Sequence, residues 1–101
     1  MKEINLTVHP FRMGTSKEAA VKVLEEASEV RAEWQTYERM TENEHLQAKW
    51  EREYNDEQRD VLADELADCI QACCNLADRY DIDLAAAMER CEKRNRDRGR
   101  Y

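Results

Sequence analysis

Two pairs of acidic residues have the spacing to place four carboxylates around one cation. Glu26 and Glu29 are three residues apart, and so are Glu65 and Asp68. On a helix, residues three apart point the same way, so each pair lies side by side. Two carboxylates at such a short separation repel each other, so an isolated helix gains no stability from the arrangement. Four oxygen donors at a partly buried seam are the ligands that a hard divalent cation prefers.

Each acidic pair borders an apolar stripe with helical periodicity. The first stripe comprises Ala20, Val23, Leu24, Ala27, Val30 and Trp34; the second comprises Leu62, Leu66, Cys69, Ile70, Cys73 and Ala77. If the two stripes pack together, the four carboxylates converge at one seam. Either pair alone is typical of a solvated helix face. The prediction therefore depends on both pairs bordering the stripes of two long helices.

Oxygen-only donors predict Mg²⁺, with Mn²⁺ as a possible substitute, in preference to Zn²⁺. Mg²⁺ keeps several waters and shares its shell with substrate phosphates. One such water, deprotonated with help from a neighbouring carboxylate, is a competent nucleophile toward phosphorus. Arg94 and Arg98, near the end of the chain, are candidates for holding the remaining phosphate charge. Their positions fit equally well with a helix end that extends past the core, where arginines suit the helix dipole.

The composition indicates one all-α domain over residues 1–101. The chain has only two Gly and one Pro, which favours helices joined by short turns. Its net charge of −7 disfavours general binding to a nucleic-acid polymer, whose backbone is also negatively charged. No signal segment and no apolar run of membrane-spanning length is visible, so we expect a cytoplasmic protein without membrane association. A core this small predicts completion by a partner chain.

Start and stop signals predict about four helices after an extended arm at residues 1–14. Thr15-Ser-Lys-Glu18 matches a capping box, and so does Thr41-Glu-Asn-Glu44. Asp83 is a candidate N-cap and Gly99 a helix stop. The predicted helices are Ser16 to about Arg39, Thr41 toward Tyr54, about Glu57 to Arg79, and the segment after Asp83.

Two features of the sequence leave alternatives open. Phe11 and Met13 plug the end of the bundle, or the turn containing His9, Phe11 and Arg12 lines a ligand pocket. The four cysteines lack any Cys-x-x-Cys pair, and Cys69, Cys73 and Cys91 fall on apolar stripes, where a free Cys behaves as a small hydrophobe. A cysteine-based metal or redox protein is the less favoured alternative.

Taken in order, four motifs resemble the MazG family of all-α nucleoside triphosphate pyrophosphohydrolases. They are Glu25-Glu26-x-x-Glu29, Glu65-Leu-Ala-Asp68, Tyr80-Asp-Ile-Asp-Leu84 and Asn95-x-x-Arg98. The resemblance spans about Val23 to Arg98. It implies a helical bundle completed by dimerisation or tetramerisation, and Mg²⁺-dependent hydrolysis of a nucleoside triphosphate to the monophosphate and diphosphate. A role in cleansing the nucleotide pool is also implied.

The resemblance also assigns roles to individual residues. It implies that Glu26, Glu29, Glu65 and Asp68 bind Mg²⁺. Glu25 matches the leading acid of the first motif, which supports the site or assists the attacking water, so Glu25 and Glu26 are the catalytic candidates. Asn95 matches a residue that contacts the nucleotide, and Arg94 and Arg98 are further candidates for the phosphates.

The chain departs from the MazG pattern in two places. The gap between Glu29 and Glu65 is longer than in many relatives, and Ala72 and Cys73 stand where the family often has an aromatic residue. These departures leave the preferred base and sugar open. The competing hypothesis is a catalytically inactive helical module that binds a nucleotide or a protein and keeps its acids for packing and solubility.

Overall fold

The computed structural model describes the backbone of residues 2–41 and 49–101 and the side chains of residues 2–40 and 56–101. This part of the chain contains three α-helices: α1 (Ser16–Thr41), α2 (Lys49–Arg79) and α3 (Leu84–Asp97). It contains no β-strand. The all-α prediction is therefore confirmed. None of the described helices carries a stretch apolar enough to cross a bilayer.

α1 begins where the capping residues predict. The Thr15 hydroxyl accepts a hydrogen bond from the Glu18 backbone N–H at 3.2 Å. This bond satisfies one of the four amides that a helix N-terminus leaves without a helical partner. Gly14, immediately before the cap, has a φ of +67°. A side chain there would be strained and would collide with the Glu18 carboxylate.

The predicted helix break at Asn55 and Asp56 is wrong, because α2 runs without interruption from Lys49 to Arg79. Neither Gly nor Pro occurs within α2. Asn and Asp in a helix interior cost only about 0.7 kcal/mol each relative to Ala, too little to end a helix whose flanks favour it. The predicted second and third helices are therefore one element where they are described. The capping box at 41–44 lies mostly outside the described residues.

The connection between α2 and α3 matches the turn predicted there. Asp81 adopts a φ of +51°, which Asp tolerates better than most residues. Asp83 caps α3 by accepting a hydrogen bond from the Ala86 N–H at 3.0 Å. At the other end, Gly99 has a φ of +68° and terminates the helix as predicted.

α1 and α2 pack along each other as an antiparallel hairpin, whereas α3 has at most a marginal contact with the other described helices. The buried core of the described residues is small. Ala72 and Ala77 are its buried hydrophobic residues, and none of the described large side chains is fully buried. The buried hydrophobic residues of the described hairpin are therefore two small residues of α2.

Much of the apolar surface remains exposed in a single chain. The exposed large side chains include Val21, Leu24, Trp34, Leu66, Ile70, Tyr80, Ile82 and Met88. The radius of gyration is 17.1 Å, compared with about 13 Å for a compact domain of this length. The accessible surface is 8547 Å², compared with about 6,000 Å² for a compact monomer of this mass. The single chain is thus more open than a self-sufficient domain.

The arm at residues 2–13 has no regular secondary structure, but α2 holds its C-terminal part. Gln71 Nε2 donates to the His9 carbonyl at 3.1 Å and to Asn75 Oδ1 at 2.9 Å. Asn75 Oδ1 also accepts from the Phe11 N–H at 2.9 Å. Two side chains one helical turn apart therefore fix the arm against the C-terminal half of α2.

Candidate metal centre

Three of the four predicted metal ligands converge at the seam between α1 and α2. Carboxylate oxygens of Glu26, Glu29 and Glu65 all lie within 4.8 Å of one another. The first two residues come from adjacent turns of α1, and the third comes from the facing turn of α2. The antiparallel packing of the hairpin therefore places acids 36 residues apart in the sequence at one point.

Burial makes this cluster different from a solvated acidic face. Glu26 is only 6% exposed, the lowest exposure among the charged residues described. Within the described part of the chain, its Oε2 has no hydrogen-bond partner, and Glu65 Oε2 is also buried without one. A buried carboxylate oxygen without a donor is costly. Two such atoms, belonging to two carboxylates of the same cluster, form the oxygen-rich environment that a divalent cation would satisfy.

A protein cation contacts the other oxygen of Glu26. Lys22 Nζ lies 3.1 Å from Glu26 Oε1 and 3.7 Å from Glu25 Oε2. The hydrogen bond to Glu26, together with the negative charge of that residue, raises the pKa of Lys22. Lys22 therefore stays positively charged and offsets part of the negative charge at the seam.

Glu29 shows how strongly the carboxylates affect one another. Hydrogen bonds to Glu65 and to Glu26 raise the pKa of Glu29, and the charge of Glu26 raises it further. Glu29 therefore binds a proton more readily than an isolated carboxyl does, because the positive charge of the proton offsets its acidic neighbours. A divalent ion would supply that charge in place of the proton.

Asp68 and Glu25 lie near the cluster without belonging to it. Asp68 is exposed and is absent from the group of converging carboxylates found among the described residues. It lines a cleft together with Glu25 and Glu26, so it faces the same side of the hairpin. Glu25 has a side chain that is 56% exposed and paired with Lys22. The structure thus places both predicted residues beside the seam, at its open side.

The cleft extends from these carboxylates toward the arm and has a volume of about 810 Å³. Its walls are the N-terminal half of α1, the C-terminal half of α2 and the end of the arm. Phe11, Arg12 and Met13 line it, as do Gln71 and Asn75. The structure places Phe11 and Arg12 in a cleft wall. This position matches the interpretation in which the turn at residues 9–14 lines a ligand pocket. Phe11, the aromatic residue of this wall, is 48% exposed.

The three predicted substrate residues on α3 are elsewhere within a single chain. None of Arg94, Asn95 and Arg98 lines the described cleft. Asn95 Oδ1 accepts from Arg100 Nη1 at 3.3 Å, and its Nδ2 contacts Cys91 Sγ at 3.7 Å. Arg98 is the C-cap of α3. The hairpin therefore brings together three of the acidic candidates, while the candidates at the end of α3 lie outside the described cleft.

All four cysteines are free, and three of them lie close together on α2. Cys73 is exposed, not part of the core as its apolar stripe predicted. Desolvation and the neighbouring Cys69 and Cys74 raise the pKa of the Cys73 thiol. A raised pKa lowers the thiolate fraction, which is the form needed for metal ligation and for redox chemistry.

Sequence reasoning missed three polar residues of the cleft. Lys22 is one turn before Glu26, a spacing that predicts an ion pair on a helix. Gln71 and Asn75 are also one turn apart, but nothing in their spacing indicates that they bind the arm.

Comparison with protein-family models, with curated proteins and with solved structures gives no match for this chain.

Proposed function

We propose that this protein is a Mg²⁺-dependent, MazG-like nucleoside triphosphate pyrophosphohydrolase. The observation that carries the proposal is the buried Glu26 oxygen, which has no hydrogen-bond partner among the described residues and lies in a cluster with Glu29 and Glu65. The order of the acidic motifs, with their resemblance to the MazG family, supplies the reaction class. An open cleft beside the cluster offers space for the substrate.

The donor set fits a hard cation. Glu26, Glu29 and Glu65 would hold Mg²⁺ or Mn²⁺, and Asp68, which lines the adjoining cleft, is proposed as the fourth ligand. All these donors are oxygens, which disfavours Zn²⁺. When bound, the ion would offset phosphate charge and lower the pKa of a coordinated water.

The chain's own residues supply the other roles in this hydrolysis. The exposed carboxylate of Glu25 accepts a proton from the attacking water, whose oxygen forms a bond to the α-phosphorus. The bond between the α-phosphorus and the bridging oxygen breaks, and diphosphate leaves with the electron pair. Lys22, which lines the same cleft, would place a further positive charge beside the phosphates.

We further propose that the active form is a homo-oligomer, either a dimer or a tetramer. Support comes from the exposed apolar side chains, the large radius of gyration and the helix α3, which lacks an extensive contact within the described chain. In such an assembly α3 of one copy would bring Arg94, Asn95 and Arg98 to the nucleotide at another copy's seam. A cytoplasmic role in cleansing the nucleotide pool follows from the proposed reaction.

The test is the release of diphosphate from a panel of ribo- and deoxyribonucleoside triphosphates, with Mg²⁺ and with EDTA. We expect turnover with Mg²⁺, none with EDTA, and no turnover by Glu65→Gln. Glu89→Gln, an exposed acid on α3, is the matched control and should retain activity. Undiminished activity in a folded Glu65→Gln variant would remove the acidic cluster from the mechanism.

The alternative function is an inactive helical module that binds a nucleotide or a protein. The Lys22–Glu26 ion pair favours it, because this pair gives the buried carboxylate a counter-charge without a metal. Under this alternative no triphosphate in the panel is hydrolysed, and EDTA leaves ligand binding unchanged. The same assay therefore separates the two functions.

A further inference from the structure

The two ends of the cleft carry opposite charge. We call the part formed by Arg12, Lys17, Glu18, Asn75 and Arg79 the arm end, and the part formed by Glu25, Glu26 and Asp68, with Lys22, the carboxylate end. The arm end contains three cationic side chains and one acid, whereas the carboxylate end contains three acids and one cation. A ligand that fits such a cleft carries an anionic group at one end and a bound cation at the other.

We propose that the arm end binds the diphosphate portion of the substrate, the β- and γ-phosphates. This inference rests on the proposed function for the identity of the substrate, and it assigns the leaving group to the arm end, away from the motifs that resemble the MazG family. The α-phosphate then lies at the carboxylate end, beside Glu26.

The cationic groups of the arm end are available for a ligand. Among the described side chains, Arg12, Lys17 and Arg79 form no ion pair with a carboxylate, in contrast to Lys22. Arginine presents a planar set of donors that matches phosphate oxygens, and lysine adds a point charge. Three such groups at one end of an open cleft, contributed by the arm, α1 and α2, match the charge of diphosphate.

Backbone amides add to this surface. The Thr15 hydroxyl accepts from the Glu18 amide, which leaves the amides of Ser16 and Lys17 without a helical partner at the positive end of the α1 dipole. Gln71 and Asn75 fix the adjoining arm through the His9 carbonyl and the Phe11 amide. The arm therefore holds Arg12 beside the start of α1.

Long side chains would let the arm end reach a ligand bound at the carboxylate end. At a rise of 1.5 Å per residue, Asn75 is about 10 Å and Arg79 about 16 Å along α2 from Asp68. The chain of three phosphorus atoms in a triphosphate is shorter than either spacing, so the Arg79 and Lys17 side chains would extend toward the carboxylate end to meet the terminal phosphates. When the bond between the α-phosphorus and the bridging oxygen breaks, negative charge develops on the β-phosphate. The arm end would stabilise that charge.

The experiment is a calorimetric titration of the full-length protein with inorganic pyrophosphate, in the presence of EDTA. We expect saturable binding that Arg79→Gln and Lys17→Gln each weaken by about tenfold or more, since each removes charge-assisted hydrogen bonds. Arg31→Gln, an exposed cation of α1 outside the cleft, should bind within about twofold of the wild type. Circular dichroism establishes that each variant is folded.

The outcomes separate this inference from the proposed function. Equal binding by wild type and both cleft variants, or equally tight binding of sulfate, would overturn the inference even if nucleotides are hydrolysed. Absence of pyrophosphate binding would overturn it too. Binding that depends on Arg79 and Lys17 in a protein that hydrolyses no nucleotide would support the anion site and reject the proposed reaction.

Discussion

The α1–α2 hairpin and α3 are built from similar local signals but differ in what they contact. Thr15 caps α1 and Asp83 caps α3, each through a hydrogen bond to an amide three residues on. The hairpin packs its small residues together and concentrates its acids at one seam. Helix α3 leaves Met88 50% exposed, and its basic residues lie away from that seam. The comparison shows that nearby residues are enough to specify where a capped helix begins and ends. What the helix does depends on the surface that it packs against.

The largest expected difference between the two regions is in catalysis. Glu26→Gln should lower the rate of diphosphate release by about 10³-fold or more, because it removes a charge from the proposed metal ligands. Arg94→Gln on α3 should lower it by about 10- to 100-fold, the loss expected for one charge-assisted contact to phosphate. Steady-state kinetics on folded variants measure both. Equal losses of rate in the two variants, or a larger loss for Arg94→Gln, would contradict the proposed order of effects.

The next largest effect should be on assembly. Met88→Asp places a charge on the exposed apolar face of α3 and should shift the protein toward monomer, because a partner chain would have to bury that charge. Arg90→Asp, on the polar face of the same helix, is the control and should not shift it. Light scattering after size-exclusion chromatography gives the mass of each species. A wild-type protein that is monomeric at all concentrations would contradict the role given to α3.

A smaller effect should follow from removing the cation already at the seam. Lys22→Gln takes away the ammonium beside Glu26, so the metal-free protein should melt at a lower temperature. The increase in melting temperature on adding Mg²⁺ should be larger than in the wild type, since the ion no longer competes with Lys22. Thermal unfolding in EDTA and in Mg²⁺ tests this, with Arg31→Gln as the control. An unchanged response to Mg²⁺ would separate Lys22 from the metal site.

The smallest effects should come from the helix caps. Thr15→Ala and Asp83→Ala each remove one hydrogen bond to a first-turn amide and should each lower the free energy of unfolding by about 1 kcal/mol. Urea unfolding measures both. Only Thr15→Ala should also weaken pyrophosphate binding, because Thr15 adjoins the arm end of the cleft. Equal effects of both variants on that binding would place the anion site away from α1.

Sequence patterns predicted the elements and the acidic seam well, because both depend on short-range spacing. The caps at Thr15 and Asp83 and the end at Gly99 follow from local signals, and the meeting of Glu26, Glu29 and Glu65 follows from helical spacing. The two apolar stripes do not form a buried core in the described hairpin, because most of their large side chains are exposed. The predicted helix break at Asn55 and Asp56 is wrong, because Asn and Asp disfavour a helix less than Gly or Pro does. The tether from Gln71 and Asn75 to the arm joins residues more than 60 positions apart, and no local pattern encodes such a contact.

The central claim is that Glu26, Glu29 and Glu65 form a divalent metal site. The most direct test is a titration of the protein with Mn²⁺ monitored by electron paramagnetic resonance, repeated with Glu26→Gln and competed with Mg²⁺. We predict one saturable class of bound Mn²⁺ that Mg²⁺ displaces and that Glu26→Gln abolishes. Identical Mn²⁺ binding by the wild type and the folded variant, or no saturable binding by either, would contradict the account.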